Sequence, residues 1–162
     1  MNVSRRWLEA FLGRAIDPRD VADRLAMLGA PLDDLVPVHA ELGSIVIAQV
    51  EEVRPHPNAD RLRLCTVDDG TEGRRHVVCG APNVTAGRKY PFIRIGSTLP
   101  GGLTIERRKI RGEVSEGMLC SARELGLGQE HDGILELDVP HPPGTPFLEA
   151  VPTHRPSGLK TA

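Results

Sequence analysis

Arg107, Arg108, Lys109 and Arg111 put four cations among five residues, with Ile110 the only apolar break. Such a cluster is the electrostatic footprint of a polyanion site, because closely spaced guanidinium and ammonium groups neutralise neighbouring phosphates together. The same run would also serve a solvated strand edge, and the four residues alone leave both readings open. Groups capable of covalent chemistry are less suggestive. Cys65, Cys79 and Cys120 stand far apart, odd in number and without a CxxC pair, so neither a disulfide framework nor a zinc site is indicated. Buried, reduced thiols are expected. Neither the CGAPN run at 79–83 nor the surroundings of Cys120 offers the nucleophile, base and orienting group that acyl chemistry needs. No catalytic residue, metal ligand or cofactor is expected.

Length and composition bound the elements that must position the cluster. A chain of 162 residues buries roughly 70% of its unfolded surface, enough for one domain with an appendage and no covalent staples. No apolar run is long enough to span a bilayer and Met1–Arg14 carries no cleavable signal, so the cytoplasm is the expected setting. The net charge of −2 hides a separation. Residues 61–111 hold eleven Lys/Arg against four acids, a balance of +7, whereas residues 112–150 hold only Arg123 against eight acids, a balance of −7. A dipolar domain of this kind can offer a positive face to phosphate while its acidic side repels indiscriminate contact.

Ser4 is placed to cap a short helix, RRWLEAFLG, in which Trp7, Leu8, Phe11 and Leu12 form one apolar stripe ended by Gly13. Asp17 and Pro18 predict the N-cap and first turn of a second helix, with Val21, Leu25 and Leu28 as its buried face and Gly29 as its stop. Leu32, Leu35, Val36 and Val38 suggest an extended segment. Elements this short cannot bury their apolar faces alone, so residues 1–40 must lean on something else, which can lie outside this chain. From Gly43 the period changes to 2. Strands are expected at Ile45–Val53, Arg61–Gly70, Arg74–Val84, Tyr90–Gly102 and Leu103–Gly112, the last carrying the cations. A one- to two-turn helix capped by Ser121 should follow, and Gly133–Val139 should form a closing strand. This pattern predicts an α+β, mainly β, architecture: a five-stranded barrel of the oligonucleotide-binding (OB-fold) class with a small helical N-terminal appendage.

Three segments, in order and spacing, carry a specific resemblance: PHPNADRLRLCTVDDG at 55–70, VVCGAPNV at 77–84 and RGEVSEGMLCSARELGLG at 111–128. They resemble the tRNA-binding barrel of the bacterial phenylalanyl-tRNA synthetase β subunit, a barrel also similar to free-standing tRNA-binding proteins and to domains appended to methionyl- and tyrosyl-tRNA synthetases. VSRRWLEAFLG and VADRLAMLGAPLDDL resemble the helical segment that opens that subunit, and the likeness runs through PPGTPFLE, covering roughly residues 1–150. The resemblance implies three parts: a helical segment at 1–40 completed by chain elsewhere in a full subunit, a tRNA-binding barrel at 41–150, and a mobile tail at 151–162. An N-terminal piece of a larger subunit is therefore expected. Thr153–Ala162 only weakly echoes the family's continuation, with His154 and Ser157 departing from it.

The resemblance also implies roles. The turn with His56, Pro57, Ala59 and Asp60 would be architectural, a catalytic His56–Asp60 pair being the sharper alternative. The segment with Ser115 and Ser121 is one the family associates with RNA contact, so RNA binding is expected from Arg107, Arg108, Lys109, Arg111, Ser115 and Ser121. Met118 and Leu119 would pack inward. Five Trp, Tyr or Phe residues are available, and Trp7 and Phe11 belong to the leading helix. With Tyr90 and Phe92 as the candidate stacking platforms, recognition by charge and backbone shape is expected over base stacking, giving weak, salt-sensitive binding. Implied partners are tRNA, the synthetase α subunit and the rest of the β subunit, with no membrane; the parent enzyme would be phenylalanine–tRNA ligase, its chemistry lying outside this chain. The rival reading is a protein-interaction module that stabilises the synthetase or dimerises without touching tRNA.

Overall fold

A computed structural model describes residues 3–36, 39–129 and 132–151. The chain divides into two compact units, Met1–Val38 and His39–Ala162. In the first, helix α1 spans Arg5–Leu12 and stops at Gly13, whose φ of 66° suits a residue without Cβ. Ser4 precedes α1 with extended backbone but makes no side-chain cap. Helix α2 spans Pro18–Met27, and the Asp17 carboxylate accepts the Arg19 N–H at 2.7 Å, the cap expected from the Asp-Pro pair. The apolar faces are only partly covered. Trp7 is 62% exposed and Phe11 79%; of the face expected on α2, Val21 and Leu25 are half-buried while Leu28 is 81% exposed, and α2 fully buries no residue.

The second unit opens with a short 3-10 turn at Ala40–Leu42 and is then mainly strand: β1 Ile45–His56, β2 Ala59–Asp68, β3 Arg75–Cys79, β4 Lys89–Ile93, β5 Arg108–Ile110, β6 Glu113–Ser115 and β7 Met118–Leu119, before a single-turn helix α3 at Phe147–Ala150. Five strands form one antiparallel sheet in the order β3-β2-β1-β4-β7, which curls into a nearly closed barrel. Strand alternation explains how one sheet supports two cores. Val46, Ala48 and Val50 of β1 point into the barrel with Cys65, Val67, Val77, Cys79, Tyr90 and Phe92. Ile45 and Ile47, one residue out of phase, point to the opposite face and pack with Leu42, Ile93, Cys120, Leu125 and Phe147. The wall made by β1 and β4 is thus dry on both sides, which accounts for a run of four buried residues where β1 begins.

Three sequence expectations are corrected. Leu103–Gly112 is not the fifth barrel strand: its first part folds back on residues 96–99, through the Gly96 N–H to Ile105 O bond at 2.7 Å and the Leu99 N–H to Leu103 O bond at 2.9 Å. Its second part, β5, pairs only with β6. The fifth place goes to the two-residue β7, held on β4 by Phe92–Leu119 and Ile93–Met118 pairing. Residues 121–126 make successive turns rather than a helix, although Leu125 is fully buried in the outer core. Gly133–Val139 forms no continuous strand, because β7 already occupies the end of β4. Among the described residues its backbone pairing is limited to Leu137 N–H on Lys89 O, at 2.9 Å, and Leu135 N–H on Cys120 O, at 3.0 Å. The expected tail lies, from Pro152 onward, outside the described residues, as do Val38, Glu130 and His131.

At the end of β2 a buried carboxylate ties the barrel together. Asp69 has no exposed surface and accepts Thr71 Oγ1–H at 2.5 Å and Arg94 Nε–H at 2.7 Å, with Arg75 Nε at 3.6 Å. Arg94 also donates to the Asp69 carbonyl at 2.6 Å. Burial opposes ionisation, but the Thr71 and Arg94 donors outweigh it and hold the Asp69 pKa below the usual carboxylate value. A depressed folded-state pKa contributes stability above the unfolded value, lost as pH falls through the folded one. Asp69→Asn should therefore cost about 3 kcal/mol at pH 7, and the gap to the native chain in urea denaturation should narrow as pH drops below about 4. A gap independent of pH would show that the charge of Asp69 contributes nothing.

Candidate nucleic-acid interface

The basic cluster lies on the β5–β6 hairpin, whose ladder pairs Arg108 with Ser115, Lys109 with Val114 and Ile110 with Glu113. Two residues turn it, Arg111 at φ 53° and Gly112 at φ 104°. Positive φ at both central positions is what a tight hairpin needs to match strand twist. This tip is fastened to the β1–β2 turn. His56 is 5% exposed; its Nδ1 accepts the Asn58 N–H at 3.0 Å, so Nε2 carries the proton and donates to Ile110 O at 3.1 Å. Asn58 Nδ2 donates to Arg111 O at 3.3 Å. With both ring nitrogens engaged by Asn58 and Ile110, His56 makes no pair with Asp60, and the turn is architectural.

The four cations are not equivalent. Arg107 Nη2 meets Glu116 Oε1 at 3.1 Å. Arg108, Lys109 and Arg111 are exposed, and among the described residues no carboxylate lies within ion-pair distance of them. Elsewhere on the barrel Arg54, Arg74, Arg75, Arg88 and Arg94 are each matched with Asp or Glu. The hairpin therefore carries positive charge that its own domain leaves unbalanced.

Ser115, at the end of β6, and Ser121, beyond β7, are buried, 6% and 7% exposed. Ser115 Oγ accepts the Val78 N–H at 3.1 Å and donates to Gly117 O at 3.1 Å. Beside it Glu116 N–H reaches His76 O at 2.8 Å. These bonds join the β6–β7 connection to β3 and close the barrel, so Ser115 is spent on closure. Ser121 Oγ donates to Glu124 Oε2 at 2.9 Å and accepts the Glu124 N–H at 3.3 Å, while Ser121 N–H reaches the same carboxylate at 2.6 Å. That is a capping box on a turn. The arrangement brings the four cations together on the hairpin, with Ser115 opposite Arg108 but its hydroxyl turned into the β3 seam, and Ser121 on a separate turn.

Sequence reasoning passed over Gly117. Its φ is 145°, and a Cβ there would strike the Phe92 ring and come within 2.9 Å of Ile93 O. The glycine between the two short strands was the available signal. Asn83 of the CGAPN run acts as a backbone surrogate, accepting the Ile134 N–H at 3.0 Å and donating to Ile134 O at 2.7 Å. The three cysteines are free and buried. Burial raises the Cys120 thiol, and the neighbouring Cys79, with burial, raises that of Cys65. Among the described residues no group of His, Cys, Asp and Glu is arranged to hold a metal ion, and no helix is long and apolar enough to cross a membrane. Tyr90, Phe92 and Phe147 are fully buried, the Tyr90 hydroxyl donating to Asn83 O at 3.1 Å. No Trp, Tyr or Phe ring of the second unit is left on the surface for a base to stack on.

Residues 45–146 match the sequence profile of the family described as "Putative tRNA binding domain", from the first residue of β1 to the loop before α3. The chain belongs to this tRNA-binding family. It is 43% identical over 151 residues to the phenylalanine–tRNA ligase β subunit of Bordetella parapertussis, covering 93% of this chain and 19% of the relative. The β subunit of Geobacter sulfurreducens is 46% identical over 151 residues, again 93% of this chain and 19% of the relative. The chain thus spans about a fifth of the curated relatives it matches. Among solved structures, a MetRS-related protein from Pyrococcus horikoshii superposes with a TM-score of 0.48 at 19% identity, over 73% of this chain and 98% of that one.

The closure of this tRNA-binding barrel makes a direct prediction. Ser115→Ala, which leaves the Val78 N–H without its acceptor, should lower unfolding free energy by about 2 kcal/mol. Gly117→Ala, which forces a methyl group against Phe92, should cost about 3 kcal/mol. Guanidinium denaturation of both variants measures these losses; native midpoints in both would mean that the β3 seam does not hold the barrel shut.

Proposed function

We propose that this domain engages tRNA without catalysis, through phosphate contacts made by Arg107, Arg108, Lys109 and Arg111, and that Ser115 and Ser121 support the interface by fixing the loops behind it. The observation that carries the reading is the unbalanced charge of the β5–β6 hairpin on a barrel whose aromatic rings are all internal. Charge and backbone shape remain as the means of recognition, which suits a structured RNA read through its phosphates. The similarity to phenylalanine–tRNA ligase β subunits supports a place in such a synthetase, with tRNA, the α subunit and the remainder of the β subunit as partners, in the cytoplasm. Amino-acid activation would belong to those other parts.

The exposed Trp7, Phe11, Met27 and Leu28 favour a second contribution from residues 3–36, an apolar contact with other parts of the assembly. This adds to tRNA engagement by the barrel.

Replacing Arg107, Arg108, Lys109 and Arg111 together by Glu should abolish tRNA retardation in a native gel at low salt. In the native chain the three freely available cations of the hairpin should contribute about −2 to the log–log salt slope, at roughly −0.7 per phosphate. Unchanged retardation by the charge-reversed chain would remove the hairpin from the interface.

A further inference from the structure

The His56 and Asn58 bonds do more than shape the β1–β2 turn, because both end on the backbone of the basic hairpin, at Ile110 O and Arg111 O. Gly112 lies against the same side chain, 3.6 Å separating Asn58 Nδ2 from the place a Cβ would take. The two hairpin tips are therefore one unit. The β1–β2 hairpin brings cations of its own. Its register passes from Pro55–Arg63 directly to His56–Ala59, so residues 60–62 bulge out of the ladder. A bulge re-aims side chains away from the sheet. Arg61 lies in it and Arg63 at its edge; both are exposed, and among the described residues neither has a carboxylate within ion-pair distance.

We infer that the β1–β2 turn and the β5–β6 hairpin form a single phosphate-binding ridge, in which Arg61 and Arg63 are further tRNA contacts and His56 is the positioning residue that holds the basic tip in place. The inference rests on the proposed tRNA engagement by the β5–β6 cations. The ridge takes a run of backbone phosphates. Its spread over two hairpins selects a strand geometry that can meet both, whereas a lone basic hairpin would bind any polyanion. The imidazole serves through its shape, with Nδ1 facing the Asn58 N–H and Nε2–H facing Ile110 O. A glutamine at this position can replace the donor to Ile110. An asparagine is too short to do so, although it can still accept from Asn58.

The experiment is fluorescence anisotropy of labelled bacterial tRNA with the full chain, titrated at several NaCl concentrations between about 50 and 200 mM. Arg61→Gln with Arg63→Gln changes only exposed side chains, and should lower the magnitude of the log–log salt slope by about 1.4, corresponding to two phosphates. His56→Asn should weaken binding by about tenfold at a temperature where circular dichroism shows it folded, and His56→Gln should restore most of the loss. A double-arginine variant with native affinity and slope overturns the ridge, and equal affinities for the two His56 variants overturn the positioning role. If the four-cation reversal also leaves binding intact, the tRNA interface itself is misplaced; if that reversal abolishes binding while the double-arginine variant stays native, only the extension to the β1–β2 hairpin fails.

Discussion

The Ser115 hydroxyl stands where a strand carbonyl would otherwise have to be. Strand β3 is the outer member of the sheet and β7 is two residues long, so the barrel cannot close by a continuous ladder between its first and last strands. Closure comes from a seam of individual bonds: Val78 N–H to Ser115 Oγ, Glu116 N–H to His76 O, and Ser115 Oγ–H to Gly117 O. Each would leave a polar group unsatisfied near the barrel interior if broken, a loss larger than the modest gain of making it. Gly117 lets the chain pass over Phe92 at the same point. The inner core, with Phe92 and Tyr90 at its centre, stays dry only while this seam holds.

The seam also decides where the charges go. Because β6 must end at β3, the hairpin that β6 forms with β5 is left outside the five-stranded sheet, with no third strand in its ladder among the described residues. Its cations face solvent on a short, two-stranded ribbon. Such a ribbon is marginal by itself, and here its tip is secured by His56 and Asn58. Mobile charge would give an equally attractive but less selective surface, since electrostatic attraction needs no fixed geometry. The bonded tip gives the phosphate-binding residues a common frame.

Much of this was legible in the sequence, for identifiable reasons. The first two strands announced themselves by period-2 alternation, because β1 and β2 are long enough to show it. The Asp17-Pro18 cap was legible because its geometry is local. The resemblance carried by residues 55–70, 77–84 and 111–128 pointed to the family that the profile match establishes. What failed was the division of Leu103–Gly112. The decisive turn is Arg111-Gly112, and arginine at positive φ is not a residue by which one recognises a tight hairpin. The cations were therefore assigned to a barrel wall that they do not form. Ser115 and Ser121 could not be placed either, because a hydroxyl facing RNA and one replacing a backbone acceptor look identical in sequence. Helix α2 shows the reverse failure: its apolar pattern predicts a buried face, but Val21 and Leu25 are only half-buried and Leu28 is exposed.

Arg111 is informative for the same reason that it was misleading. A non-glycine residue at φ 53° carries a conformational cost of order 1–2 kcal/mol, and asparagine or glycine would bear it more easily. The Asn58 donor on its carbonyl and the His56 donor on the carbonyl before it offset that cost by satisfying two acceptors of the turn. An arginine held this way projects from the apex of the hairpin, beyond the reach of any acidic side chain among the described residues. Its backbone is ordered before ligand arrives, so binding needs to order only its side chain, which reduces the entropy lost on association. A fixed backbone with long, adaptable cations suits phosphates, whose positions are regular. Base edges would instead require fixed side chains at the surface, and the fully fixed rings of this barrel, Tyr90 and Phe92, are all on the inside.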